Sequence, residues 1–256
     1  MRLSIAFAIV FAAALGGGCS TSNPATGTGG TTAGTGGAGT GGSGSGGDAG
    51  TDAPLNMCSA ALGMLLKPID KVSTGAVSIL GTSGAVRTVY VDASAGGFGV
   101  SDSYPYTYLD LATATQVSIT DKQAPTSTAW DLAIKRPVLF TNDGDGGPGM
   151  GGTIVVAKTF DQVTAADATG TFATESFVDK DCNAKTDPAG DILTTFSGWY
   201  DYDQQTNVLT PHPTTTYVVR GGTGKLYKIG ILGYYGEPDG GMGTNGGYYI
   251  LQIGAL

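Results

Sequence analysis

From residue 85 onward, apolar residues fall at alternate positions or in short β-branched runs, and Gly, Asp, Asn or Pro punctuates them. Residues 85–92 read A-V-R-T-V-Y-V-D, residues 116–120 Q-V-S-I-T and residues 153–160 T-I-V-V-A-K-T-F. Period two is the mark of half-buried strands. Residues 130–141 form a longer apolar run in which Pro137 lacks a donor, so the expectation is an edge strand or a bulge there. Residues 192–202 carry Phe196, Trp199, Tyr200 and Tyr202 and read as another strand. Residues 216–220 and 225–235 flank Gly221-Gly222-Thr223-Gly224, a hairpin turn, and residues 247–256 close the chain as a strand. Residues 57–66, ended by Lys67-Pro68, are the one short helix predicted. Strands without alternating helices imply an all-β fold of antiparallel or mixed sheets, a sandwich or an open barrel.

The N-terminal part follows another pattern. Met1-Arg2 precedes an unbroken run of small and apolar residues over 3–15. That is shorter than the ~20 residues a membrane span needs and fits the hydrophobic part of a secretory signal. Gly16-Gly17-Gly18-Cys19 follows and resembles the lipobox of bacterial lipoproteins, although Leu15 sits one position further from the cysteine than in the usual pattern. The resemblance implies a signal peptide over 1–18 and lipidation of Cys19. Ser20 in place of Asp implies the outer membrane. Residues 20–54 contain only Ser, Thr, Asn, Pro, Ala, Gly and Asp. Such a stretch cannot offset its ordering entropy by apolar burial. Residues 19–54 are therefore expected to be a disordered Gly/Thr/Ser-rich linker with a reach of roughly 30–35 Å. No GK[ST] ending supports a phosphate loop. Residues 55–256 remain as one domain, enough for a sizeable core.

Composition narrows the function. Of 21 acidic residues, 19 are Asp, the exceptions being Glu175 and Glu237, and 44 residues are Gly. Asp and Gly favour turns over helix interiors, which excludes a helical bundle. A formal net charge of −8 argues against nucleic acid as a partner. With Cys19 lipidated, Cys58 and Cys182 are left as an even pair in an oxidising compartment. They are expected either to form a disulfide, worth about 5 kcal/mol for so long a loop, or to be two buried thiols.

Candidate chemistry is sparse. His212 is the single histidine, so a two-histidine zinc site within one chain is excluded. No G-x-S-x-G elbow is present, and no carboxylate pair stands out for glycoside hydrolysis. Asp179, Asp181, Asn183 and Asp187 lie at the alternate spacing of the first half of a Ca²⁺ loop. However, Ala184 stands where such a loop wants Gly, and Gly190 where it wants Glu. A solvated turn is the alternative. Tyr200 and Tyr202 alternate with Trp199 and Asp201, so that one face could stack a planar ligand. Core packing is the alternative there.

An ordered set of motifs is more specific. Trp130-Asp131-Leu132-Ala133-Ile134-Lys135-Arg136 is followed by Thr141-Asn142, a Gly-rich loop to Gly152, and Phe160-Asp161-Gln162-Val163. Trp199-Tyr200, Val219-Arg220-Gly221, Gly224-Lys225-Leu226-Tyr227-Lys228 and Tyr234-Tyr235 come next in the same order. This set resembles the HmuY family of surface lipoproteins, the best known of which capture haem. The resemblance implies an all-β domain and haem or a related porphyrin as ligand. It also implies a pair of axial histidines, one falling near Gln204 and the other near the 179–187 turn. Neither position is His, and His212 falls on neither. Relatives without the His pair imply methionine as a substitute. Met150 and Met242 lie in Gly-rich loops and are the candidates here, with His212, while Tyr200 and Tyr202 would line the site.

The expectation is a non-enzymatic surface lipoprotein, lipid-anchored at the bacterial outer membrane, that captures haem or a porphyrin and meets an outer-membrane receptor. The alternative is a structural or adhesive β domain that binds a glycan or a protein partner and has no haem site.

Overall fold

The computed structural model describes residues 58–256. The signal segment, Cys19 and the linker lie outside the described residues, as does Met57. The described chain begins with helix α1, Ser59–Leu66, which ends as Lys67 turns left-handed at φ 46° and Pro68 follows. Twelve strands come after it. The first six are β1 (Val77–Ser83), β2 (Val86–Asp92), β3 (Thr107–Asp110), β4 (Thr115–Gln116), β5 (Leu132–Lys135) and β6 (Val138–Thr141). The others are β7 (Gly152–Val156), β8 (Tyr200–Asp203), β9 (Val208–Pro211), β10 (Thr216–Arg220), β11 (Leu226–Gly233) and β12 (Tyr248–Ala255). Among the described residues, no helix is long and apolar enough to cross a membrane.

The strands form three antiparallel sheets. Six strands run in the order β1-β2-β12-β11-β10-β7, four in the order β4-β3-β5-β6, and β8-β9 stand as a separate pair. The all-β reading therefore holds. The inner face of the large sheet supplies Val89, Val91, Val219, Ile229, Tyr249 and Leu251 to the main core. The four-stranded sheet answers with Leu109, Leu132, Ile134 and Leu139. Its other face is covered too: Tyr106, Tyr108, Ala133, Phe140 and Phe177 form a second core, against which Leu62, Leu65 and Leu66 of α1 pack. With both faces buried, β5 is apolar without alternation, which is the pattern of a sheet covered on both sides.

Several strands differ from expectation: residues 116–120 join a strand only at their start, in β4, and residues 153–160 leave the sheet after Val156. Residues 130–141 are not one strand with an edge proline but the hairpin β5–β6, with Lys135 paired to Val138. Arg136 takes φ 52°, the left-handed region where glycine is usual, and Pro137 completes the two-residue turn. Residues 192–202 are a strand only from Tyr200, because Gly198 at φ 84° reverses the chain just before it.

Cys58 and Cys182 form the disulfide, with Cα atoms 5.1 Å apart at a sequence separation of 124.

Candidate functional site

The Trp130–Arg136, Thr141-Asn142 and Val219–Lys228 motifs meet where β10 turns into β11, and their chemistry there is architectural. The Asp131 carboxylate is buried, and it accepts from the backbone N–H groups of Leu111 at 2.8 Å and Gly222 at 2.9 Å. It thereby ties the four-stranded sheet to the β10–β11 turn. Burial pushes its carboxyl up from the usual range, while those two N–H groups and Lys225 pull it back. Asn142, fully enclosed, donates through Nδ2 to the carbonyls of Ser127 and Trp130 and accepts from Gly149 N–H. The Gly-rich loop after it closes over this side chain. A Cβ at Gly147 would stand 2.2 Å from Asn142 Oδ1, so glycine is present here for close approach. Arg220 clamps the loop by donating to the Met150 and Gly151 carbonyls.

Beside this plug lies a group that the sequence pattern did not reveal. Glu175 is 2% exposed. It accepts from Thr141 N–H at 3.1 Å, Thr195 N–H at 3.0 Å and Thr195 Oγ1 at 2.6 Å. Asp143, also buried, accepts from Thr141 Oγ1 at 2.7 Å. Burial outweighs these donors, and the negative charge of Asp143 adds to it, so the Glu175 carboxyl is pushed up to about 7. The one available signal was that Glu175 is one of only two glutamates in a chain rich in aspartate.

The other end of the large sheet, where β11 gives way to β12, is aromatic. Trp199 packs on Tyr200, Tyr234 and Tyr249 at ring separations of 4.6, 5.6 and 5.5 Å. Its Nε1 donates to the Pro137 carbonyl. The Tyr235 hydroxyl accepts from Leu209 N–H at 2.8 Å and holds the β8–β9 hairpin against the sheet. Tyr200 faces Pro211, and Tyr202 faces Leu209, across the hairpin. The pleat places these four on one face and Asp201, Asp203, Thr210 and His212 on the other. Tyr200 is half-buried on the core, and burial raises its phenol. Tyr202 is exposed and donates to Asn207 Oδ1.

His212 lies just past β9, with one third of its side chain exposed. Its Nδ1 stands 3.6 Å from Asp201 Oδ2. That is longer than a hydrogen bond, so the carboxylate lies beside the ring as a neighbouring charge. Met242 lies at the same end, where a Cβ on Gly233 would meet its Sδ at 2.9 Å. Met150 is at the opposite end, its Cε 3.0 Å from where a Cβ on Gly224 would stand. Gly224 and Gly233 bracket β11, a separation of roughly 30 Å at the rise of an extended strand. One centre can therefore draw on His212 or Met242, or on Met150, but not on all three. Likewise, Tyr200 and Tyr202 do not share the hairpin face of His212.

The Ca²⁺ candidates close turns instead. Asp179 accepts from the backbone of Asp181 and Asn183 and from Asn183 Nδ2. Asp181 pairs with Lys180, and Asp187 accepts from Ala189 and Asp191 N–H. Asp179 and Asn183 are brought together, while Asp181 and Asp187 serve other local contacts. Among the described residues, no group of three His, Cys, Asp or Glu is placed to hold a metal ion. Gln204 lies in the exposed β8–β9 turn.

Residues 103–249 match the family described as HmuY protein. No curated protein matches the chain. Three solved structures are similar to it in path. A candidate lipoprotein of Bacteroides fragilis NCTC 9343 shares 19% identity at a TM-score of 0.41, covering 68% of this chain and 91% of that one. A protein of Bacteroides vulgatus ATCC 8482, designated a candidate HmuY-like heme-binding protein, shares 17% at 0.43, covering 68% and 95%. The apo HmuY analogue (TFO) of Tannerella forsythia shares 14% at 0.40, covering 73% and 100%.

Proposed function

The chain belongs to the HmuY family, whose match spans more than half of its 256 residues, and from that premise we propose that it is a non-enzymatic, lipid-anchored surface protein that captures haem or a related porphyrin. Residues 1–18 are then the signal peptide, Cys19 the anchor at the bacterial outer membrane, 19–54 the linker and 55–256 the binding domain. An outer-membrane receptor is the partner to which the ligand passes.

The observation that carries the haem reading is the His212–Asp201 pair on the outward face of the β8–β9 hairpin, at 3.6 Å. It offers one partly exposed imidazole at the aromatic end of the fold. His212 would supply one axial bond, and Met242, at the same end, is the candidate for the second. Iron in a bound porphyrin supplies the affinity for these ligands. The protein's own part is to present the imidazole on the hairpin, with the Asp201 carboxylate beside it. Tyr202, exposed on the other face of the hairpin, lines the site only where the porphyrin overhangs the hairpin edge.

Titration of the full chain with haemin, followed by absorbance in both oxidation states, tests this. The expected result is a saturable Soret shift that His212→Ala abolishes and Met150→Ala leaves intact. Absence of a shift at micromolar protein, or an unchanged spectrum in His212→Ala, overturns it.

A further inference from the structure

Between the segment before β1 and the loop joining β2 to β3 lies a cleft of about 520 Å³, within the size range of small-molecule sites. Its walls include Lys71, Ser73, Thr74, Asp92, Ser94 and Tyr104. None of the lining side chains is His, Met or Cys, so the cleft is separate from the haem ligands proposed above.

Three features define the chemistry it takes. The first is an aromatic platform. Tyr104 is 42% exposed, and its ring lies directly over Gly96, where a Cβ would stand 2.4 Å from Cε2. Gly96 is also left-handed at φ 73°, so both backbone and ring demand glycine. The flat, electron-rich face of such a ring attracts the weakly positive C–H groups of a sugar. The second is a rim of hydroxyls and one carboxylate. Ser73 Oγ is fixed by Thr107 Oγ1 at 2.8 Å and by Gly75 N–H. Asp92 Oδ1 accepts from Ser94 N–H at 3.0 Å, and Asp92 Oδ2 has no donor among the described residues. A free carboxylate oxygen is a strong acceptor for paired hydroxyls. The third is charge balance. Lys71 and Asp92 are the one cation and one anion of the lining, which disfavours an ionic ligand. The same β2–β3 loop carries Phe98 at its tip, 94% exposed, a second ring for a ligand that extends beyond the cleft.

We propose that this cleft binds a neutral saccharide, stacked on Tyr104 and hydrogen-bonded by Asp92 and the surrounding hydroxyls. The test is a titration of the full chain with neutral malto-, cello-, manno- and chito-oligosaccharides into the millimolar range, read by calorimetry and by amide chemical shifts. At least one series is expected to bind and to move the amides of residues 71–75 and 92–104. Tyr104→Ala and Gly96→Val are each expected to weaken it by about tenfold or more, Asp92→Asn to weaken it, and Tyr104→Phe to retain most of it. Haemin uptake should be unchanged in all four, which also shows that the variants fold. Binding that survives both Tyr104→Ala and Gly96→Val overturns the proposal, as does the absence of any response across the panel. Neither result bears on the haem site.

Discussion

Asp131, Asn142, Asp143 and Glu175, near the end where β10 turns into β11, are enclosed and hydrogen-bonded on every side described. At the other end, beyond β11, Asp201 is 83% exposed and His212 one third exposed on a hairpin with its own small sheet. The residues that mark the family resemblance lie mostly at the first end, where they lock sheet to sheet. The residues available for ligation lie at the second, outside the most specific motif. Kinship therefore speaks for the scaffold, while ligand chemistry has to be read from the hairpin of this chain itself.

The contrast can be broken at its rigid side first. Replacing Cys58 and Cys182 together by Ala removes the cross-link over the longest loop, and about 5 kcal/mol of stability should be lost, measured by urea unfolding with and without reductant. Asp131→Ala strands the buried N–H groups of Leu111 and Gly222 and should cost about 3 to 5 kcal/mol in the same assay. Haemin binding by the fraction still folded should be unaffected.

Glu175 gives the enclosed end a pH signature. Its folded-state carboxyl lies at about 7, above the ordinary 4.5, so the folded protein holds a proton that the unfolded chain has released between those values. Stability should therefore fall as pH rises from about 4.5 to about 7 and level off above, by roughly 3 kcal/mol in all. Glu175→Gln should flatten that slope, and an unchanged slope would assign it to other groups. The smallest effect on stability belongs to the open end. His212→Ala should shift unfolding by less than about 0.5 kcal/mol, because only a solvent-facing pair is lost, yet it should remove the Soret change. A large loss of stability there would mean that the hairpin is part of the scaffold after all.

How far the chain could be read from its residues depended on what each position reports. Gly221-Gly222-Thr223-Gly224 is legible as a turn because glycine is the usual answer to left-handed geometry. The Arg136-Pro137 turn was hidden because Arg136 takes the same geometry without glycine, held by Ala93 just past β2 and by Tyr249 of β12. The apolar run of β5 signals burial but cannot say that two cores lie on its two sides. Tyr200 and Tyr202 share a face by their spacing, but their opposition to His212 needs the β8–β9 register. The Glu175 network joins residues from three separate segments and leaves no local pattern. The Asp179–Asp187 spacing is real, yet Asp179 and Asp187 accept from their own turns and Asp181 pairs with Lys180.

The disulfide has a mechanical consequence. α1 has no fully buried residue and rests on the second core through Leu62, Leu65 and Leu66 alone. A pull along the chain from its N-terminal side would peel such a helix away easily. It meets Cys58 first, however, and the force passes through sulfur to Cys182, 124 positions onward. Tension then bypasses α1 and β1–β7 and enters the fold beside the Asp179 turn. Load applied from the N-terminal side would thus be borne by a covalent strut, and the rate of forced unfolding should depend on whether that strut is reduced.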